Sequence, residues 1–97
     1  MYRADLIAVT PAGSVPDDLR PFVEFKASLL KRELKRGQVV ALFLIATTSC
    51  YIPVFLDKGM TLDDVMKDLA EQQAEMAAHS LRIIEEALKR LDSEKKK

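Results

Sequence analysis

The sequence VVALFLIATTSCYIPVFL, residues 39–56, runs for eighteen residues without a charge in a chain of 97. It is the most hydrophobic stretch of the chain. A pair of buried β-strands and a membrane-spanning helix are both compatible with it. The interpretation of this stretch therefore decides the fold.

A transmembrane helix at residues 39–56 is the alternative interpretation. Eighteen apolar residues reach the lower limit for crossing a hydrocarbon core of about 30 Å. Basic residues crowd the preceding segment and acidic residues follow it, an asymmetry that would place the N-terminus in the cytoplasm. Pro53 is tolerated in membrane helices. The protein would then be a small single-pass membrane protein or an accessory subunit of a membrane complex.

Buried sheet is the interpretation that we favour. Residues 39–46 are continuously apolar and rich in β-branched side chains, which is typical of a strand covered on both faces. Residues 51–56 predict a second strand, and Pro53 confines it to an edge of the sheet because proline has no N–H to donate. The residues between them include no Gly, Asn, Asp or Pro, so the pattern predicts a wider loop or a non-hairpin connection rather than a tight turn.

The N-terminal third supplies partners for such a sheet. Residues 4–10 (ADLIAVT) predict a strand, which must pair with a neighbour to satisfy its backbone groups. Residues 17–36 predict an amphipathic helix with acidic residues at its start, an apolar stripe and Gly37 as its terminator. This order predicts a right-handed βαβ unit, in which strands 4–10 and 39–46 lie parallel.

The C-terminal third predicts one long helix from residue 62. Thr61 and Asp64 have the spacing of a capping box, and no Gly or Pro follows. Thirty helical residues would measure about 45 Å and outrun a compact domain of this size. A projecting apolar helix usually contacts a second copy of its chain, so we expect a homo-oligomer, with another protein as the alternative partner. The polar positions within the apolar stripe would set the register of the contact. The predicted interface consists of Leu62, Met66, Leu69, Gln73, Met76, Ser80, Ile84, Leu88 and Leu91.

These elements predict one small α/β domain of the order β-α-β-(β)-α. Residues 1–60 would form the core, with strand 4–10, helix 17–36 and strands 39–46 and 51–56. Residues 61–97 would form the long helix and a basic tail at 95–97. Zero net charge argues against a nucleic-acid partner, because phosphate binding needs a basic excess on at least one face. The lone cysteine excludes an intrachain disulfide, and we expect a reducing, cytoplasmic location.

Cys50 is the sharpest candidate for chemistry. In the parallel arrangement it would follow the C-terminal end of a strand, where open α/β sheets bind ligands. A reactive thiol needs a nearby cation or helix N-terminus, and the sequence indicates neither. The plain interpretation is therefore a small, buried apolar side chain. The ligand site predicted around it, for an anion or polar substrate, consists of Thr10, Gly13, Ser14, Thr47, Thr48 and Ser49.

The expected function is a non-enzymatic, homo-oligomeric binding or regulatory module that acts through its C-terminal helix. Two alternatives stay open, namely the small membrane protein and a thiol-dependent enzyme or sulfur carrier that uses Cys50. His79 is the only histidine, and no further metal ligands accompany it at suitable spacing. No metal or cofactor is predicted.

Overall fold

The structure is a computed structural model that describes residues 1–93, so the basic tail at residues 95–97 lies outside the described residues. As the sequence predicts, the chain forms a small single domain of mixed α/β content. The sheet contains four strands in the order β3-β2-β1-β4. The strands are β1 (Tyr2–Pro11), β2 (Val39–Ile45), β3 (Cys50–Leu56) and β4 (Ala74–Met76). The α-helices are α1 (Arg20–Leu29), α2 (Leu62–Glu71) and α3 (Ala78–Ser93).

The uncharged stretch at residues 39–56 forms the β2–β3 hairpin, so the membrane-helix interpretation is wrong. Across residues 1–93, no helix combines the length and the apolar character that crossing a bilayer requires. A four-residue turn at 46–49 joins the strands, and Ser49 takes a left-handed φ of 53° in place of a glycine. β3 is an outermost strand, as Pro53 predicts.

β1 and β2 are antiparallel, so the predicted parallel βαβ unit is wrong. Pro11 at the end of β1 pairs with Val39 at the start of β2. The lengths explain the error. β1 has ten residues and spans about 34 Å, whereas α1 has ten residues and spans about 15 Å. The helix does not by itself return the chain along β1, and the chain re-enters the sheet beside the end of that strand, where the N–H of Ala12 donates to the carbonyl of Gln38 at 2.8 Å.

α1 is also shorter than the predicted helix at 17–36. Lys31 takes a left-handed φ of 53° directly after the C-cap. The N–H of Lys31 donates to the carbonyl of Ser28, and the N–H of Arg32 donates to that of Ala27. This is the Schellman arrangement, here with lysine where glycine is usual. The helix therefore ends six residues before Gly37 would have stopped it.

Helices cover both faces of the sheet. Helices α2 and α3 pack on one face around Phe43, and α1 packs on the other around Leu42. Both of these β2 side chains are fully buried. The continuous apolar run of β2 follows from this two-sided cover.

The predicted single helix at residues 62–91 is interrupted by β4. α2 begins with the predicted capping box, in which Thr61 N–H donates to Asp64 Oδ2 at 2.9 Å and Asp64 N–H donates to Thr61 Oγ1 at 3.3 Å. Gln73, with a left-handed φ of 60°, turns the chain into β4, which pairs in parallel with the start of β1. Pairing with an otherwise open strand edge thus overrides helix propensity.

Ser80 extends this pairing from α3. β4 reaches only as far along β1 as Ala4, whose carbonyl also accepts from the N–H of Ala77 at 3.0 Å. The next outward N–H, that of Leu6, donates to Ser80 Oγ at 3.0 Å. Ser80 has no exposed surface. The Ser80 hydroxyl therefore provides the hydrogen-bond acceptor that β4 is too short to provide.

Ser80→Ala is expected to lower the free energy of unfolding by about 1–3 kcal/mol, because the partly buried N–H of Leu6 loses its acceptor. Urea unfolding at neutral pH measures the change. Ser28→Ala, at an exposed position in α1, is the matched control and should change the free energy by less than about 0.5 kcal/mol. Equal losses in the two variants would contradict the role given to Ser80.

Arg32 fastens the segment after α1 to the end of β3. Its guanidinium donates to both carboxylate oxygens of Asp57 at 3.1 and 3.0 Å and to Gln38 Oε1 at 2.8 Å. It also lies 4.9 Å from the centroid of the Phe55 ring. Gln38 Nε2 donates in turn to the carbonyl of Leu56 at 3.0 Å. The hydrogen bonds from Arg32 hold the pKa of the Asp57 carboxyl below its ordinary value of 3.8.

Arg32→Met is expected to lower the free energy of unfolding by about 1–2 kcal/mol at pH 7, because a bidentate ion pair and a cation–π contact are lost. The pKa of Asp57 is lower in the folded than in the unfolded chain. The carboxylate therefore stabilises the fold above about pH 4, and this contribution is lost as the pH falls through the folded pKa. Urea unfolding should show that the wild-type advantage in free energy of unfolding over Arg32→Met shrinks as the pH is lowered below about 4. An advantage that is independent of pH would contradict this assignment.

Candidate functional site

The structure separates the two halves of the predicted ligand site. The antiparallel pairing of β1 and β2 puts residues 10–14 beside the start of β2 and residues 47–49 at its other end. Seven strand residues span about 24 Å, too far for one small ligand to contact both groups. The hydroxyls of Thr10 and Thr48 lie 3.4 Å from the carbonyl oxygens of Pro11 and Ile45, respectively. The two separated groups are Thr10, Gly13 and Ser14, and Thr47, Thr48 and Ser49.

Much of the stripe predicted as an oligomer interface packs against the sheet of its own chain. Helical periodicity identifies the apolar positions, but it does not identify what covers them. The fully or almost fully buried members are Leu69, Ser80, Ile84 and Leu88. The half-buried members are Leu62, Met76 and Leu91, and the exposed members are Met66 and Gln73. The predicted helix that outruns the domain is absent, and with it the reason for expecting association there.

α1 instead presents a second apolar side to solvent. Phe25 is 64% exposed, Leu29 59% and Phe22 39%. Their spacing places the three on one side of the helix, away from the positions that face the sheet. Of the nine large hydrophobic side chains exposed in residues 1–93, four belong to α1 or its C-cap. The apolar stripe of α1 is thus wider than the sheet beneath it can cover.

This exposed side of α1 continues onto β3. The rings of Phe22 and Tyr51 lie 5.3 Å apart between centroids. A cavity of about 290 Å³ opens between the two elements, lined by both rings and by Phe25, Leu29 and Cys50. β3 (CYIPVFL) carries no charge, although outermost strands are commonly protected by charged side chains. We define Phe22, Phe25, Leu29, Cys50 and Tyr51 as the α1–β3 face.

A buried ion pair borders this face. Lys26 Nζ lies 2.7 Å from Asp68 Oδ1, and the side chains are 7% and 22% exposed. α1 and α2 cover opposite faces of the sheet, so the pair connects them past β3, the outermost strand. Lys26 also lines the 290 Å³ cavity. Because Asp68 neutralises Lys26, the surroundings of the α1–β3 face stay electrically balanced.

Lys26→Met is expected to lower the free energy of unfolding by about 3 kcal/mol, because the Asp68 carboxylate stays largely buried without its partner. Replacing both residues, as Lys26→Met with Asp68→Leu, should restore most of the loss. A double-mutant cycle by urea unfolding measures the coupling. Strictly additive losses would contradict a direct ion pair.

Cys50 is exposed, in contrast to the buried side chain that the sequence indicates. Within residues 1–93, its Sγ has one hydrogen-bond partner, the carbonyl of Tyr51 at 3.9 Å. The cation in the adjoining cavity, Lys26, is already paired with Asp68. His79 lies on α3, where its Nε2 is 3.6 Å from Asp5 Oδ1. Among the residues that the structure describes, the geometry thus provides an accessible thiol at the rim of an apolar surface, without a contacting base.

The width of the apolar stripe of α1 is the sequence feature that indicates the α1–β3 face, and helical periodicity alone does not reveal it. The apolar positions of α1 extend around the helix further than a stripe that packs on one surface requires. An excess of this kind indicates two contacts for one helix. Lys26, between Phe25 and Ala27, gives no sequence signal of its distant partner, because Asp68 lies in another element.

Comparison with known proteins gives a family. A family model described as "Domain of unknown function (DUF749)" matches residues 2–88, from β1 into α3. The chain is also similar to the "Uncharacterized protein MJ0858" of Methanocaldococcus jannaschii, with 27% identity over 91 residues, or 93% of this chain and 80% of the relative. No solved structure matches. Neither description states an activity, so a function has to be argued from the geometry.

Proposed function

Because the chain belongs to the DUF749 family, a domain of unknown function, we propose its role from the fold: a non-enzymatic binding module that forms a homodimer through the α1–β3 face. One observation carries the proposal. The α1–β3 face is apolar, uncharged and largely exposed, whereas α2 and α3 direct most of their apolar side chains into the core of their own chain. Single exposed apolar residues are common, but a contiguous patch of them marks an interaction surface.

A second copy of the chain is the partner that suits this chemistry. In a two-fold contact the same patch faces itself, so an apolar, uncharged surface meets its own complement. The chain has zero net charge, and copies therefore approach each other without long-range repulsion. A partner of opposite charge would require a charged face, and Lys26 is already paired.

The contact would resemble an ordinary dimer interface. A stable dimer buries about 800 Å² on each partner, which is about one eighth of the 6334 Å² surface of the described chain. A few residues supply most of the binding energy in such interfaces, and aromatic side chains are enriched at the interface core. Phe25, the most exposed of the aromatic residues in the α1–β3 face, would be the central anchor.

The partner is the one that the sequence predicts, a second copy of the chain, but the contacting surface differs. Self-association moves from the C-terminal helix to α1 and β3, since the predicted stripe is largely occupied by the core. The proposal also keeps the cytoplasm as the location, because an exposed single thiol suits a reducing compartment. Cys50 would then contribute to the dimer contact as a small apolar side chain rather than as a nucleophile.

Light scattering coupled to size-exclusion chromatography tests the proposal at about 100 μM protein. We expect the wild type at twice the 10.9 kDa chain mass. The double variant Phe25→Glu with Leu29→Glu should be monomeric, with the dimer weakened at least about 100-fold by two charges placed in an apolar contact. Both positions are exposed, so the variant should keep its fold, and circular dichroism checks this.

Ile83→Glu is the matched control, because Ile83 is an apolar residue of α3 that is 47% exposed. It should remain dimeric. A monomeric wild type would contradict the proposal. If Ile83→Glu lost the dimer while Phe25→Glu with Leu29→Glu kept it, the interface would lie on the C-terminal helix α3 instead.

A further inference from the structure

Basic side chains converge on a groove at the other side of α1. A cavity of about 260 Å³ lies between the turn at Ala12–Ser14, the start of α1 and residues 34–36. The basic residues that line it are Arg20, Lys35 and Arg36, and the one acidic residue is Glu24. Three cations and one acid leave two positive charges in a chain that is neutral as a whole. The basic excess is therefore local.

Arg20 is held in place before any ligand arrives. Its Nη2 donates to the carbonyl of Val15 at 3.3 Å and lies 3.7 Å from Asp17 Oδ1. The Asp17 side chain is fully exposed, so this ion pair neutralises little of the charge. A guanidinium has five N–H donors, which leaves several for an anion. A group positioned in this way loses less conformational freedom on binding.

Gly13 brings Arg36 close to the turn. The N–H of Gly13 donates to the carbonyl of Arg36 at 3.0 Å. A Cβ at position 13 would lie 3.2 Å from Arg36 Nε, tighter than most packing contacts, and 3.4 Å from Arg36 Cβ. Glycine therefore lets the Arg36 side chain lie against the turn. Gly13 thus belongs to a groove with three cations, which the sequence alone does not bring together.

We propose that this groove binds a phosphate group carried by a small molecule. Arg20 and Arg36 offer planar, bidentate donors that match phosphate oxygens, and Lys35 adds a point charge. A groove of about 260 Å³ has room for one phosphate-bearing group. Binding of single-stranded nucleic acid would instead call for an extended basic track with stacking aromatic side chains. The charged side chains that line the groove beside Met66 and Met76 are Asp63, Glu75 and Lys67, which sum to one negative charge.

Inorganic phosphate is the probe, followed by ¹H–¹⁵N NMR at an ionic strength held constant with sodium chloride. We expect the amides of Gly13 and Arg36 to shift with a dissociation constant of about 1 mM. Lys35→Gln with Arg36→Gln should weaken binding about tenfold or more, because two charge-assisted contacts are lost. Lys67→Gln with Lys89→Gln removes the same charge at exposed positions outside this groove and should leave the affinity unchanged.

The titration distinguishes a phosphate site from a general charge effect and from nucleic-acid binding. Absence of a shift at about 10 mM phosphate would overturn the proposal, as would equal weakening by the two double variants, which would indicate a net-charge effect. A short single-stranded oligonucleotide that shifts these amides where phosphate does not would replace it with nucleic-acid binding. Phe25→Glu with Leu29→Glu should bind phosphate normally, so failure of the dimer and failure of this site are distinguishable.

Discussion

The burial of β2 on both faces is the constraint on which the rest of the fold depends. A strand whose side chains are apolar on both sides is stable only if something covers each face. α2 and α3 supply one cover, and the short helix α1 supplies the other. The last two helices fill their face, with Leu69 and Ile84 buried beneath them. α1 stands alone on its face, and its outer side remains apolar and uncovered.

The same arrangement determines which helices keep exposed surface for binding a partner or ligand. Helices that complete the core have little apolar surface left to offer a partner. α1 has two apolar sides and contacts the sheet with only one of them. Its opposite end adjoins the basic groove at Gly13, so one short helix borders both surfaces to which we assign a role. Binding at either surface would use side chains that are already exposed, apolar ones at the α1–β3 face and basic ones in the groove. Neither would require the core to rearrange.

Sequence patterns predict the features of this fold that depend on neighbouring residues. The capping box at Thr61 and the edge position of β3 are confirmed, since each reflects local backbone chemistry. The connection before Cys50 is instead a four-residue hairpin turn, where the absence of turn residues predicts a wider loop or a non-hairpin connection. Features set by distant pairing are missed. No local residue indicates that Gln73 will leave the helix to pair with β1, or that β1 and β2 will be antiparallel. The site errors follow from these, because the predicted ligand residues meet only in a parallel sheet.

Self-association through the α1–β3 face can be tested by an isotope-filtered NOE measurement on a mixture of labelled and unlabelled protein, which reports contacts between copies. We expect intermolecular NOEs between the Leu29 methyl groups and the rings of Phe22 and Phe25, and none from the Ile83 methyl groups. Intermolecular NOEs confined to α3, or the absence of any in a sample at millimolar concentration, would contradict a dimer built on α1.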